Sequence, residues 1–222
     1  MTTYYENELV TIYHGDCLEI LPELPKVDLV LTDPPYGIDY KTPLPNNTDW
    51  GYIANDTGDF DLSFLFGIDA EKIIFGANNF PHLLPHRGRW ICWYKRGVGA
   101  EKALGSAFEL AWTSKISGFE RLYHIVHGGF INADGGKRFH PTQKPVKLFL
   151  SILSDWGETN IILDPFLGSG TTAVAAMLLN RKCIGIEIEE KYCEIAAKRC
   201  EQARTGLTPA EQDAGQLTLF EK

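Results

Sequence analysis

The chain has 222 residues, 44% hydrophobic and 23% charged, which suits one globular domain with room for a real core and excludes wholesale disorder. No apolar run approaches the ~18 residues of a membrane helix, and the start MTTYYENELV lacks a signal peptide's basic and apolar regions. A soluble, cytoplasmic protein is expected. Five scattered cysteines with no C-x-x-C spacing argue against a disulfide framework or a metal site. The net charge of −8 hides an asymmetry: residues 82–147 carry 11 Lys+Arg against 4 Asp+Glu, while the rest carries 10 against 25. One basic segment in an acidic chain reads as a phosphate-facing surface or as scattered solvated charge.

In chain order, short apolar runs predict strands over 9–14 and 27–32. A stretch near 41–60, rich in Pro, Asn, Asp, Thr and Gly, reads as a mobile loop. Strands are predicted over 72–76, 90–94 and 108–113, with a small insertion near 97–139 flanked by glycines. A helix follows over 145–156, with Pro145 suited to its first turn. Then come a strand over 161–164, a helix over 171–179, a strand over 182–188 and a helix over 189–204. Continuous apolar runs suit parallel strands buried on both faces, and strand–helix alternation predicts an α/β fold. The domain spans 1–204, and the polar residues 205–222 read as a flexible tail.

Two segments carry chemistry. The run Asp164-Pro-Phe-Leu-Gly-Ser-Gly-Thr171 ends a strand and opens a helix, and Gly168-x-Gly170-x-x-Ala173 fits a nucleotide-binding turn. Glycines there let backbone approach a ligand, and the helix amino end offers N–H groups. Glu187 lies 19 residues beyond Gly168, placed to accept from both ribose hydroxyls. This pattern alone admits a dinucleotide oxidoreductase. However, such a fingerprint normally opens its domain, and here a single predicted strand follows it. The second segment, Asp33-Pro34-Pro35-Tyr36, closes a buried strand. Two successive prolines restrict the chain and fix a carboxylate, acceptor carbonyls and an aromatic face together.

Together these segments resemble the β group of amino-methylating DNA methyltransferases. Asp33-Pro34-Pro35-Tyr36 matches the catalytic motif, and 164–171 matches the motif for S-adenosylmethionine (AdoMet). His140-Pro-Thr-Gln-Lys-Pro145 matches a third signature, and His14-Gly-Asp16 followed by Leu18 and Leu21 a fourth. The resemblance spans roughly 9–200. It implies a Rossmann-like, doubly wound, mostly parallel sheet of the AdoMet-dependent methyltransferase type. The motif order is circularly permuted, with the catalytic motif before the cofactor motif. It implies methyl transfer to the exocyclic N6 amine of a flipped adenine in double-stranded DNA, since a leading Asp in this motif usually goes with adenine. The alternatives are cytosine N4 and RNA amines; the rival of another class is the dinucleotide-dependent oxidoreductase, and a second rival is a catalytically silent DNA- or clamp-binding module.

The resemblance also assigns roles. Asp33 and the Pro34 carbonyl accept the N–H bonds of the amine, and Tyr36 stacks on the base, with Pro35 completing the turn. Asp16 lies near the cofactor adenine and Glu187 holds the ribose. Asp164, Phe166, Gly168, Gly170 and Thr171 line the methionine end, and Lys144 pairs with its carboxylate. His140 shapes its loop. Lys95, Arg96, Lys137 and Arg138 of the basic segment are expected to contact phosphates or bases. Trp50, Tyr52 or Phe130 could fill the gap left by a flipped base. The short recognition region leaves the target sequence open, and the chain suits either a restriction–modification system or an orphan or phage modifier. A homodimer is common in the β group. Finally Gln216-Leu217-Thr-Leu219-Phe220 resembles the bacterial sliding-clamp peptide, with hydrophobic anchors and a polar Gln. The competing reading is an ordinary tail packed on its domain.

Overall fold

The computed structural model describes residues 2–37, 60–97, 99, 106–116, 118, 120–127 and 143–206. In chain order the elements are β1 (Thr3–Glu6), β2 (Val10–His14), α1 (Cys17–Ile20), β3 (Leu29–Thr32), α2 (Phe64–Gly67), β4 (Glu71–Phe75), β5 (Arg89–Tyr94) and β6 (Phe108–Thr113). They continue with β7 (Arg121–His124), α3 (Val146–Trp156), β8 (Ile161–Asp164), α4 (Thr171–Leu178), β9 (Lys182–Glu187) and α5 (Glu190–Thr205).

The strands form one sheet in the order β1-β2-β9-β8-β3-β4-β6-β5-β7. The five central strands, β2-β9-β8-β3-β4, are parallel. Burial on both faces explains their apolar runs, and every residue of β3 is buried. On one face Leu29, Leu31, Ile162 and Cys183 join the core beneath α3, α4 and α5. On the other, Val30, Leu163, Ile184 and Ile186 pack with Cys17 and Ile20 of α1, and Ile74 packs with Leu65 of α2. The chain leaves β8 through α4 towards β9 and leaves β3 through α2 towards β4. The winding therefore reverses between β3 and β8, and a crevice opens at their carboxyl ends. Asp28 fixes the opposite ends: its Oδ2 accepts the N–H groups of Asn160 (2.8 Å) and Ile161 (2.9 Å).

Every strand and helix expected from the sequence is present, with small differences at the ends. The strand expected from 27 begins at Leu29, and Pro145 is the residue before the first turn of α3 rather than within it. β1 and β7 were not expected. Both are edge strands, and only Tyr123 of β7 is buried, so neither carries a clear apolar pattern. The sheet is also more mixed than a parallel reading implies, since β6 runs antiparallel to both β4 and β5. The described part of the insertion expected near 97–139 carries β6 and β7, which belong to the main sheet. The loop near 41–60 except Phe60, together with Trp50, Tyr52, Phe130, Lys137, Arg138, His140 and the peptide 216–220, lies outside the described residues. Among the described residues no helix is long and apolar enough to cross a membrane.

Candidate active site at the sheet switch point

The catalytic turn and the glycine loop meet because β3 and β8 are hydrogen-bonded neighbours, with Val30 opposite Leu163. Asp164, the last residue of β8, binds the two together. Its Oδ1 accepts the Thr32 hydroxyl at 2.7 Å and the Phe166 N–H at 3.1 Å. Its Oδ2 accepts the Thr172 hydroxyl from α4. Burial pushes the carboxyl up to about 6, against the opposing pull of Thr172, Thr32 and Phe166. Asp164 therefore fastens the catalytic strand to the cofactor loop and spends its oxygens on that task.

The glycine loop is shaped from both sides. Gly168 has φ +52°, and a Cβ there would stand in open space with no atom within 4 Å. Gly170 has φ +84°, and a Cβ there would lie 2.7 Å from Cβ of Ala196 on α5. The first leaves room for a ligand against the backbone; the second lets α5 press against the loop. Arg199 reaches from α5 to donate to the Ser169 carbonyl at 2.5 Å and to its hydroxyl at 3.0 Å. From the segment before α3, the Lys144 carbonyl accepts the Thr171 hydroxyl at 3.1 Å, and Gln143 Oε1 accepts the Ser169 hydroxyl at 3.4 Å. Phe166 packs edge-on against Phe60 (5.9 Å between centroids) and tilts against Phe64 of α2 (6.2 Å).

Glu187 closes β9 beside this loop. Its Oε2 accepts the Gly168 N–H and its Oε1 the Glu189 N–H, both at 2.8 Å. Burial raises this carboxyl to about 7, despite the two N–H bonds. Asp16 stands on the neighbouring strand end: β2 pairs with β9 at His14 and Glu187, and the Gly15 N–H donates to the Glu187 carbonyl at 3.0 Å. Its Oδ1 caps α1 by accepting the Leu18 N–H at 2.8 Å. Two carboxylates, an open glycine backbone and the amino end of α4 are thus brought to one crevice. This donor and acceptor set fits an adenosine cofactor with a ribose diol.

At the catalytic turn, Asp33 is ringed by charge. Its Oδ1 accepts the Tyr36 hydroxyl and its Oδ2 accepts the Lys144 ammonium. Lys144 also lies 3.1 Å from Glu109 Oε2, and Lys95 holds Glu109 Oε1 at 2.7 Å. The result is a chain of alternating charges, Lys95–Glu109–Lys144–Asp33, in which Lys144 is buried and the others are half-buried. Burial raises the Asp33 carboxyl, and Lys144 pulls the other way. Burial works against the Lys144 charge, but Asp33 and Glu109 outweigh it and hold the ammonium well above its usual range. Burial likewise opposes the Glu109 charge, yet Lys144 and Lys95 hold that carboxyl down at about 2. The Tyr36 ring rests on Gly76, where a Cβ would come within 1.9 Å of it.

Lys144, expected on the methionine carboxylate, has its ammonium against Asp33 and Glu109. Lys95, expected on DNA, is paired with Glu109, and its side chain is 19% exposed. Arg96 lies next along the chain, with its carbonyl 2.7 Å from His124 Nε2. Glu109, Gly76 and Arg199 were missed altogether. Glu109 sits in a strand predicted for its apolar residues. The interruption of that apolar run by one acid was the available signal.

A doubly wound sheet with a carboxylate turn and a glycine loop at its switch point is the architecture of an AdoMet-dependent methyltransferase. The profile of the DNA methylase family, covering N6 and N4 methyltransferases, matches residues 90–198. The type II methyltransferase M2.LlaDCHI of Lactococcus lactis subsp. cremoris is 51% identical, over 91% of this chain and 93% of that protein. The DNA adenine methyltransferase YhdJ of Escherichia coli (strain K12) is 29% identical, over 90% and 86%. The crystal structure of the M1.HpyAVI–SAM complex superposes with a TM-score of 0.56 at 25% identity, covering 86% of this chain and all of that one. The chain belongs to this DNA methylase family.

The two glycines separate on substitution. Gly168→Ala introduces left-handed strain alone and costs about 1–2 kcal/mol. Gly170→Ala adds a collision with Ala196 and costs about 3 kcal/mol or more. Urea unfolding of the two variants checks the order; equal losses would contradict it.

Proposed function

We infer that this chain is an AdoMet-dependent, site-specific DNA methyltransferase acting on the exocyclic N6 amine of a flipped adenine. The observation that carries this reading is the Asp33 carboxylate held beside the glycine loop by the Thr32–Asp164 hydrogen bond, 2.7 Å long. AdoMet supplies an electrophilic methyl group. The adenine amine is a poor nucleophile because its lone pair is delocalised into the ring. Asp33 and the Pro34 carbonyl accept its two N–H bonds, draw the nitrogen towards a tetrahedral shape and aim its lone pair. Tyr36, seated on Gly76, gives the base an aromatic face. No covalent intermediate on the protein is needed, so position and electrostatics provide the rate. A base inside a duplex is out of reach of this buried turn, so the target leaves the stack.

On the cofactor side, Glu187 takes the ribose hydroxyls and Asp16 lies towards the adenine. Gly168, Gly170, Thr171 and Phe166 form the wall at the methionine end, and Asp164 braces it from behind. Lys144 is assigned to Asp33 rather than to the cofactor. Adenine is favoured over cytosine by the leading Asp of the catalytic motif, and YhdJ, a relative along most of the chain, is named an adenine methyltransferase. DNA contact falls to the basic segment, with Arg96, Lys137 and Arg138 as its candidates. A homodimer rests on the β-group resemblance alone. A sliding-clamp contact through Gln216, Leu217, Leu219 and Phe220 rests on that peptide pattern alone; deleting 216–220 is expected to abolish clamp pull-down and to leave methylation of short oligonucleotides unchanged.

The decisive experiment incubates the protein with methyl-labelled AdoMet and unmethylated bacterial DNA, followed by nucleoside mass spectrometry. N6-methyladenine is expected, with Asp33→Ala losing at least ~10²-fold in rate while still binding AdoMet. N4-methylcytosine would overturn the base assignment, and an active Asp33→Ala would overturn the role of the turn. A second expectation follows from Glu187. Its carboxyl, raised to about 7, is neutral below that pH and cannot then accept from both ribose hydroxyls as a carboxylate. AdoMet affinity should therefore rise about tenfold between about pH 6 and about pH 8. Calorimetric titration across that range checks it, and Glu187→Gln should bind weakly and without the slope.

A further inference from the structure

Both oxygens of Asp33 are engaged, one by Tyr36 and one by Lys144. The amine of the target base needs one of them. Lys144 cannot step aside into water, because its side chain is only 7% exposed, and a buried ammonium without a counter-charge is strongly unfavourable. A second seat is within reach. Glu109 Oε2 lies 3.1 Å from Lys144 Nζ, is fully buried and accepts no hydrogen bond from the described residues. The other oxygen of Glu109 is anchored by Lys95. The carboxylate is carried by β6, a strand paired on both sides, with Glu109 itself opposite Trp93. Its position is set by the sheet rather than by a loop.

We propose that Glu109 is a positioning residue for methyl transfer: it receives the Lys144 ammonium when Asp33 turns one oxygen to the amine of the target base. This rests on the reading of Asp33 as that amine's acceptor. Lys144 shifts between two carboxylates that it already touches, so the buried charge is never left unpaired. Without the charge on Glu109, Asp33 is the one carboxylate left to Lys144 among the described residues, and the ammonium competes with the base for it.

The charged and titratable groups facing Asp33 are Lys144 before α3, Glu109 on β6, Tyr36 on its own turn and Asp164 on β8, with Lys95 of the β5 end behind Glu109. Among these, Glu109 disfavours ionisation of Asp33 through its like charge. Its loss therefore eases ionisation of Asp33 even as it impairs catalysis. That opposite pair of effects identifies the role.

The test compares the full-length protein with Glu109→Gln and Glu109→Asp in single-turnover methylation of unmethylated bacterial DNA at saturating AdoMet, across pH. Glu109→Gln is expected to slow the plateau rate ~10-fold or more, with AdoMet affinity unchanged. Its acid limb should move to lower pH, and Glu109→Asp should recover part of the rate. A parental rate in Glu109→Gln overturns the proposal. So does a slower rate with an unmoved acid limb, an Asp variant no better than Gln, or loss of AdoMet binding, which would mark Glu109 as structural. An Asp33→Ala protein that still methylates defeats the underlying reading first. An inactive Asp33→Ala beside a fully active Glu109→Gln defeats this inference alone.

Discussion

The structure depends on one buried carboxylate at the sheet switch point. Asp164 is 3% exposed and joins β3, the glycine loop and α4 through Thr32, Phe166 and Thr172. Leaving such a group unsatisfied in the interior would cost several kcal/mol, so the hydroxyls of Thr32 and Thr172 are structural requirements. The bond from Thr32 matters most for function. It fixes the residue just before Asp33 to the strand that carries the glycine loop, so the Asp33 turn and that loop share one rigid frame. Catalysis that relies on position rather than on covalent chemistry needs such a frame.

Around that frame the molecule separates two electrostatic tasks. On the β9 side, Glu187 meets backbone N–H groups among the described residues, and burial leaves its carboxyl easily protonated. On the β6 side, Glu109 is flanked by two ammonium groups and stays charged far below neutrality. Both side chains are glutamates at strand positions, and the difference comes wholly from their neighbours. The first is suited to a ligand that brings its own donors. The second is suited to balancing charge at the catalytic turn. The β4–β6–β5–β7 extension of the sheet thus contributes to the site as well as widening the fold, because it carries Glu109 to Lys144.

The segment before α3 connects these tasks. The Lys144 backbone carbonyl receives Thr171 of the cofactor helix, while its side chain reaches Asp33 of the catalytic turn. Gln143 touches Ser169 of the glycine loop. Gln143 and Lys144, the described residues of that signature before Pro145, therefore tie the glycine loop to the Asp33 turn.

The sequence by itself determined the elements and the motifs. Apolar runs located the buried strands, helical spacing located α5, and the Asp33 turn and the glycine loop were legible because their chemistry is written in contiguous residues, with Glu187 read from its spacing of 19 residues beyond Gly168. The edge strands β1 and β7 were not legible, since an edge position demands little apolar content. The tertiary structure alone decided which charges meet. Lys95, Glu109, Lys144 and Asp33 come from four separate stretches of chain, and their pairing follows from strand order, which local pattern does not encode. For the same reason only the fold shows Lys144 paired with Asp33 and Lys95 paired with Glu109. A buried charge takes the nearest opposite charge that the packed chain presents, and that neighbour is a property of the assembled sheet.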